Sequence, residues 1–89
     1  MFRKRFYFYG RVQGVGFRWV AKRAALSLNM TGWIRNEYDG SVTMEVQGTA
    51  AGLRQLLAEL QDGRFIKIDD MAVEDRPIEK DERGFRVLY

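Results

Sequence analysis

Apolar residues recur at helical spacing in two stretches of the chain. In residues 17–29 they fall every three or four positions: Phe17, Val20, Ala21, Ala24, Ala25 and Leu28. Lys22 and Arg23 occupy the opposite side of the same stretch. The second apolar series consists of Leu53, Leu56, Leu57 and Leu60, preceded by Thr49 as an N-cap and followed by Gly63 as a stop. The pattern therefore predicts two amphipathic helices.

Two neighbouring stretches in the middle of the chain indicate a β-hairpin. Residues 31–37 and 41–47 flank Asp39-Gly40, and Asp-Gly between strand-like segments is a strong short-range hairpin signal. In the second arm, apolar residues alternate strictly with Thr43, Glu45 and Gln47. This alternation predicts a strand with one face packed on a core and the other exposed to water.

Three further stretches are typical of strands. Residues 3–9 are rich in aromatic side chains with polar ends, which suits a central strand buried on both faces. Residues 65–73 predict a later strand, with a β-bulge where Asp69-Asp70 interrupts its alternation. A short final strand is predicted from the alternation of apolar residues at Phe85, Val87 and Tyr89.

The resulting order is β-α-β-β-α-β with a short C-terminal strand. Two right-handed crossovers then give an antiparallel sheet with both helices on one face, the ferredoxin-like βαββαβ sandwich of the α+β class. A chain of 89 residues builds one modest core. We therefore expect residues 1–89 to form a single domain.

A glycine-rich turn joins the first strand to the first helix, in the segment Gly10-Arg11-Val12-Gln13-Gly14-Val15-Gly16-Phe17-Arg18. The helix start carries no Ser, Thr, Asp or Asn to accept hydrogen bonds from its first backbone N–H groups. Free N–H groups, the positive end of the helix dipole and glycines that admit a close ligand together favour a phosphate-like anion. Arg18 is placed to bind that anion with its guanidinium fork.

Composition restricts the chemistry that this site can perform. The chain has no His and no Cys, which excludes imidazole bases, thiolate nucleophiles, disulfides and the usual zinc sites. The net charge of +3 is compatible with anionic ligands of any size. No signal peptide or transmembrane segment is recognisable, so we expect a cytoplasmic protein that does not bind membranes.

Asn36, at the end of the strand Gly32-Trp33-Ile34-Arg35-Asn36, is the best candidate to complete a reactive site. An amide can hold a water molecule by donating and accepting hydrogen bonds, although Asn before a turn is more often a turn former. Arg35 and Glu37 should point to the other sheet face. No general acid accompanies the motif, so the leaving group must depart unaided. A carboxylate, whose conjugate acid has a pKa of about 4, does so, which points toward acyl phosphates.

These segments resemble the acylphosphatase family. The resemblance rests on the glycine turn ending in Arg18, on Gly32-Trp33-Ile34-Arg35-Asn36, on Asp39-Gly40 and on the final segment Phe85-Arg86-Val87-Leu88-Tyr89. It covers nearly the whole chain. One departure is Glu37, where the family often has Thr or another small or polar residue after its Asn.

The resemblance implies an enzyme that hydrolyses acyl phosphates to a carboxylate and inorganic phosphate. Arg18 would bind the phosphoryl group and Asn36 would position the attacking water. The cradle would be completed by the backbone N–H groups of Gln13, Gly14, Val15, Gly16, Phe17 and Arg18. It further implies no metal, no cofactor and no covalent intermediate. We expect a monomer whose site can also hold phosphate or sulfate.

Two other functions are compatible with the same fold. One is an RNA-binding module, but the hairpin strand carries Val42, Met44 and Val46 and no aromatic residue on its water-facing side, so nucleic acid is not expected. The other is a non-catalytic, phosphate-binding regulatory domain, which the presence of both Arg18 and Asn36 disfavours. Trp19 and Trp33 are expected to be core residues.

Overall fold

The computed structural model describes residues 1–89 and contains five strands and two helices. In chain order they are β1 (Phe2–Arg11), α1 (Phe17–Ser27), β2 (Thr31–Asn36), β3 (Val42–Gly48), α2 (Ala50–Gln61), β4 (Lys67–Asp75) and β5 (Phe85–Leu88). This order is the predicted one. Neither helix is both long enough and apolar enough to cross a membrane.

The five strands form one sheet in the order β4-β1-β3-β2-β5. β1 pairs antiparallel with β3 and β4, and β2 pairs antiparallel with β3. β5 joins the edge of β2 in the parallel direction, so the complete sheet is mixed. The ferredoxin-like βαββαβ arrangement with a terminal strand is thus confirmed.

One face of the sheet packs against both helices. Phe6, Met44 and Ile34 lie side by side across β1, β3 and β2 and are buried. They share a single core with the inner faces of the helices, which contribute Phe17, Ala21, Ala24, Ala25, Leu53, Leu56 and Leu60. Both helices therefore cover the same side of the sheet, and the other side faces the long loop before β5.

The prediction that β3 has one wet face is wrong. Thr43, Glu45 and Gln47 are only 2%, 6% and 8% exposed. Glu45 accepts hydrogen bonds from Arg3 Nε at 2.5 Å and Arg5 Nε at 2.7 Å on the neighbouring strand. Polar alternation in β3 therefore reflects a buried layer of ion pairs.

The loop between β4 and β5 covers this polar layer. Glu82 receives two hydrogen bonds from the guanidinium of Arg3, and Glu79 exchanges two with the side-chain amide of Gln47. Burial raises the pKa of the Glu82 carboxyl, but hydrogen bonding and the positive charges of Arg3 and Arg86 together outweigh burial and hold that pKa below its usual range. The charges are satisfied within the protein, which permits their burial.

The expected bulge lies in β4. Tyr9 is paired with Asp70 and Gly10 with Ile68, which leaves Asp69 without a partner on β1. This irregularity occurs where β1 approaches the glycine turn. The bulge prediction is therefore confirmed.

Candidate active site

The turn between β1 and α1 is built on two glycines in the left-handed region. Gly14 has a φ of +71° and Gly16 has a φ of +80°, conformations that residues with a Cβ rarely adopt. Gly16 is also the N-cap of α1, and no side chain caps this helix. Helix α2, by contrast, has a side-chain cap: Thr49 Oγ1 accepts a hydrogen bond from Gly52 N at 3.0 Å, which confirms Thr49 as the predicted N-cap.

The backbone N–H groups of residues 13–18 donate no hydrogen bond within the protein. The first N–H that bonds back into this turn is that of Val20, which donates to Gly16 O at 3.0 Å. Free donors at a helix N-terminus carry partial positive charge and favour an anion. The turn therefore has free N–H donors for the anion that the sequence predicts it to bind.

A cavity of about 220 Å³ brings the turn together with the end of β2. Its polar lining comes from Gly14, Gly16, Arg18 and Asn36. The remainder of the wall is apolar and aromatic: Val12, Phe17, Trp19, Val87 and Tyr89. The two side chains singled out in the sequence, Arg18 and Asn36, thus border the same space.

Two of the predicted cradle residues, Val15 and Gln13, do not line the cavity. Val15 packs against the hydrophobic core. The side-chain amide of Gln13 donates to Glu37 O and to Ser41 O, both at 2.8 Å. Gln13 therefore ties the turn to the base of the β2–β3 hairpin, a role that the sequence analysis did not assign.

Arg18 is free of carboxylate partners. It belongs to none of the ion pairs in the structure. Its guanidinium carbon lies over the ring of Tyr89, 5.1 Å from the ring centroid. An arginine stacked on an aromatic face keeps its N–H fork available for hydrogen bonds. The charge of Arg18 is therefore available to an anion in the cavity.

Asn36 is the last residue of β2 and lies opposite Val42 of β3. Its Oδ1 atom is buried and has no hydrogen-bond partner. Unpaired buried polar atoms are uncommon in folded proteins and call for an explanation such as a bound molecule. Rotation of the Asn36 amide would bring this atom to the cavity that the residue lines, where a water molecule would donate a hydrogen bond to it.

Glu37 is held away from the cavity, as predicted. Its carboxylate accepts hydrogen bonds from Thr43 Oγ1 at 2.6 Å and from Arg35 Nε at 3.0 Å, on the sheet face opposite the helices. The Thr43 hydrogen bond, reinforced by Arg35, lowers the pKa of the Glu37 carboxyl. Asp39 is likewise engaged, because Ser41 donates to it through both N and Oγ and lowers the pKa of its carboxyl.

No Asp or Glu lines the cavity. Nor does any group of three or more His, Cys, Asp or Glu side chains come together as a set of metal ligands. A larger cleft of about 640 Å³ lies on the opposite face of the sheet, but its buried charges, Arg3, Glu45 and Glu82, already bond to one another. The cavity at the glycine turn is therefore the better candidate for chemistry.

The prediction that both tryptophans belong to the core is wrong. Trp19 is 64% exposed at the mouth of the cavity. Trp33 lies on the polar face of the sheet between the guanidinium groups of Arg5 and Arg35, at 5.3 and 5.1 Å from their carbons. The exposure of Trp19 could have been predicted from the sequence, because position 19 falls outside the apolar stripe of α1.

Known proteins are similar to this chain in sequence and in architecture. The sequence model of the acylphosphatase family matches residues 4–87. An acylphosphatase of Geobacillus kaustophilus is 44% identical over 81 residues, which are 90% of this chain and 86% of that protein. The crystal structure of acylphosphatase from Bacillus subtilis superposes with a TM-score of 0.90 at 30% identity, covering all of both chains.

A fold likeness extends to a segment of a much larger protein. Full-length HypF, in its phosphate- and nucleotide-bound form, matches with a TM-score of 0.84 at 22% identity, over 99% of this chain and 12% of that one. This likeness concerns the fold alone. The match of the family model to nearly the whole sequence, with relatives of the same name above 40% identity, shows that the chain belongs to the acylphosphatase family.

Proposed function

We propose that the protein hydrolyses the carboxyl–phosphate bond of acyl phosphates, releasing a carboxylate and inorganic phosphate, at the cavity between the glycine turn and Asn36. The observation that carries the proposal is that Arg18, which forms no ion pair, and Asn36, whose Oδ1 has no hydrogen-bond partner, line the same small cavity. The family to which the chain belongs supports the same reaction.

The phosphoryl group binds at the turn. The free N–H groups of the turn residues that line the cavity, Gly14, Gly16, Phe17 and Arg18, and the positive end of the α1 dipole stabilise its negative oxygens. The Arg18 side chain adds a full charge and a bidentate fork. In phosphoryl transfer the negative charge is spread over three equatorial oxygens, so fixed donors around them stabilise the transition state. Because the donors are largely backbone groups of a turn, little reorganisation accompanies the reaction.

Asn36 positions the nucleophile. Its Oδ1 accepts a hydrogen bond from a water molecule, and the water oxygen attacks phosphorus in line with the bond to the acyl oxygen. A new P–O bond forms to the water oxygen while the bond between phosphorus and the acyl oxygen breaks. The electron pair leaves with the carboxylate, and the proton of the water passes to an oxygen of the phosphate.

No general acid is required. A carboxylate leaving group has a conjugate-acid pKa of about 4 and departs as the anion at neutral pH. A reaction that needs no general acid is compatible with a cavity that has no Asp or Glu in its lining. Alcohols leave with much higher pKa values, so phosphate monoesters of alcohols should be poor substrates.

The proposal is tested by measuring hydrolysis of benzoyl phosphate in the presence of EDTA for the wild type, Arg18→Ala and Asn36→Ala. We expect rapid hydrolysis by the wild type, unchanged by EDTA, and loss of turnover in both variants. Inorganic phosphate binding, measured by calorimetry, should be lost in Arg18→Ala and kept in Asn36→Ala. Arg23→Ala serves as the matched control, since Arg23 is an exposed arginine of the same helix.

Three results would contradict parts of this proposal. A well-folded wild type that binds phosphate without hydrolysing benzoyl phosphate indicates a non-catalytic phosphate-binding domain. Equal phosphate affinity in the wild type and Arg18→Ala contradicts the cradle. An active Asn36→Ala contradicts the positioning of water by that residue.

A further inference from the structure

The larger cleft, on the polar face of the sheet, carries more positive than negative side chains. It measures about 640 Å³ and lies between the sheet and the loop that joins β4 to β5; we call it the polar-face cleft. Its cationic lining consists of six side chains: Arg3, Arg5, Arg76, Lys80, Arg83 and Arg86. Its acidic lining consists of four: Glu45, Glu79, Asp81 and Glu82. At neutral pH the lining of the cleft therefore has a net positive charge.

The carboxylate of Glu45 is shared by three arginines at the floor of this cleft. The Nε atoms of Arg3, Arg5 and Arg76 lie 2.5, 2.7 and 3.6 Å from its oxygens. Arg3 is buried and also pairs with Glu82, but the side chains of Arg5 and Arg76 are 25% and 40% exposed. Two carboxylates do not neutralise three guanidinium groups, so positive charge remains on the two arginines that solvent reaches.

Three further cations stand at the rim of the cleft without an ion pair. Lys80 and Arg83 belong to the loop, Arg86 lies on β5, and all three are exposed. The remaining acids of the lining, Glu79 and Asp81, form no ion pair with them either. Long side chains with unpaired charged ends are available to an incoming anion, and a guanidinium binds a phosphate as a fork.

We infer that the polar-face cleft is a second anion-binding site, and that its ligands are small, polar compounds with two or more phosphate groups. This site is separate from the cavity at the glycine turn. Arg86 and Val87 are consecutive residues of β5, and strand alternation places Arg86 at the cleft and Val87 at the cavity. The inference goes beyond the proposed function and does not depend on it, since the two sites lie on opposite faces of the sheet.

The lining of the cleft determines the class of ligand. Trp33 is its one hydrophobic residue, and the guanidinium groups of Arg5 and Arg35 already lie over the Trp33 ring. A ligand with a large apolar part would therefore find little surface on which to bury it. The cations come from the sheet, the loop and β5, so a single phosphate group meets only some of them, whereas a compound with two or more can bridge them. Each phosphate brings up to two charges and three acceptor oxygens.

The test measures binding of inorganic pyrophosphate by calorimetry at low ionic strength, in Arg18→Ala protein, so that the glycine turn lacks its own arginine. We expect pyrophosphate to bind at least about tenfold more tightly than inorganic phosphate. Adding Arg83→Gln and Arg86→Gln together should weaken pyrophosphate binding at least about tenfold, because charge-assisted hydrogen bonds are lost. Adding Arg64→Gln is the matched control, since Arg64 is exposed and lies outside the cleft lining. This control should leave the affinity unchanged.

Nuclear magnetic resonance of the same proteins locates the bound anion. Pyrophosphate should shift the backbone amide signals of residues 79–86 and the indole N–H signal of Trp33, and these shifts should disappear in the protein with Arg83→Gln and Arg86→Gln. Both substituted arginines are exposed and form no ion pair, so the variant is expected to fold, which its urea denaturation checks. Shifts confined to residues 13–18, an equal loss of affinity in the Arg64→Gln control, or equal affinity for phosphate and pyrophosphate would each overturn the inference.

Discussion

Gln13 offers a way to separate phosphate binding from the alignment of water. Its amide connects the glycine turn, which contains the N–H donors, to the hairpin that follows Asn36. The substitution Gln13→Leu keeps a similar side-chain volume and removes both hydrogen bonds. Glu37 O still accepts from Gly40 N and Ser41 O still accepts from Glu37 N, so neither carbonyl loses its last partner.

The cost in stability follows from these contacts. A neutral hydrogen bond contributes about 0.5–1.5 kcal/mol net, so two bonds amount to about 1–3 kcal/mol. No further penalty for an unsatisfied group is added, since both acceptors keep a partner. The free energy of unfolding of Gln13→Leu, measured by urea denaturation, should therefore fall by about 1–3 kcal/mol.

The kinetic effect should be larger and selective. Without the Gln13 bonds the turn and Asn36 can shift relative to each other, and a misplacement of about 1 Å lowers kcat by about 100-fold. We expect kcat to fall about 10- to 100-fold, while the affinity for inorganic phosphate changes less than about twofold, because Arg18 and the N–H donors belong to one continuous segment.

Two further variants make the result specific. Gln13→Glu keeps the length of the side chain but places a carboxylate against two carbonyl oxygens, so its kcat should fall at least as far as that of Gln13→Leu. Gln55→Leu, at an exposed position of α2, is the control for the loss of an amide. A Gln13→Leu protein with wild-type kcat would refute the role of Gln13 in aligning the turn with Asn36. An equal loss of phosphate affinity and kcat would mean that Gln13 only maintains the shape of the glycine turn.

Three other predictions concern stability. Glu45→Gln removes the negative charge shared by Arg3 and Arg5, while Glu82 still pairs with Arg3, and should lower the free energy of unfolding by about 1.5–3 kcal/mol. Asp75→Asn, in an exposed ion pair, should cost less than about 1 kcal/mol, and equal losses in urea denaturation would contradict the buried layer. Burial raises the pKa of the Glu45 carboxyl, but the hydrogen bonds and charges of Arg3 and Arg5 together outweigh burial and hold that pKa below its usual range. The wild type should therefore lose stability as the pH falls below about 4.3, the usual pKa of a Glu side chain, and Glu45→Gln should lose less. Gly16→Ala and Gly84→Ala, with φ of +80° and +71° and open space at each Cβ position, should each lose about 1–2 kcal/mol, but only Gly16→Ala should weaken phosphate binding in calorimetry.

Local signals in the sequence account for most of the fold. The spacing of apolar residues marked both helices, Asp39-Gly40 marked the hairpin, and Thr49 marked the start of α2. The buried layer on β3 could not be predicted in this way, because Glu45 is neutralised by residues from β1 and a late loop. The parallel pairing of β5 with β2 is equally non-local, since nothing in a four-residue strand specifies its neighbour.

The candidate site was predictable where backbone conformation determines it. An anion site at the turn could be predicted because its parts are adjacent in sequence: the glycines, the helix start without a capping side chain, and Arg18. The aromatic wall was missed for two different reasons. Trp19 was judged by the usual burial of tryptophan rather than by its position off the apolar stripe, and Tyr89 reaches the cavity only after the chain has passed through β5.

The placement of β1 between β3 and β4 affects how the chain must fold. Phe6 pairs with Met44 on one side and with Val73 on the other, both far away in sequence. Distant pairings of this kind take longer to form than local contacts, because a long loop must close first. During that interval the aromatic segment 6–9 has no partner and is prone to aggregate. The three basic residues at 3–5 precede it directly, and charges beside a hydrophobic strand are a common protection against such aggregation.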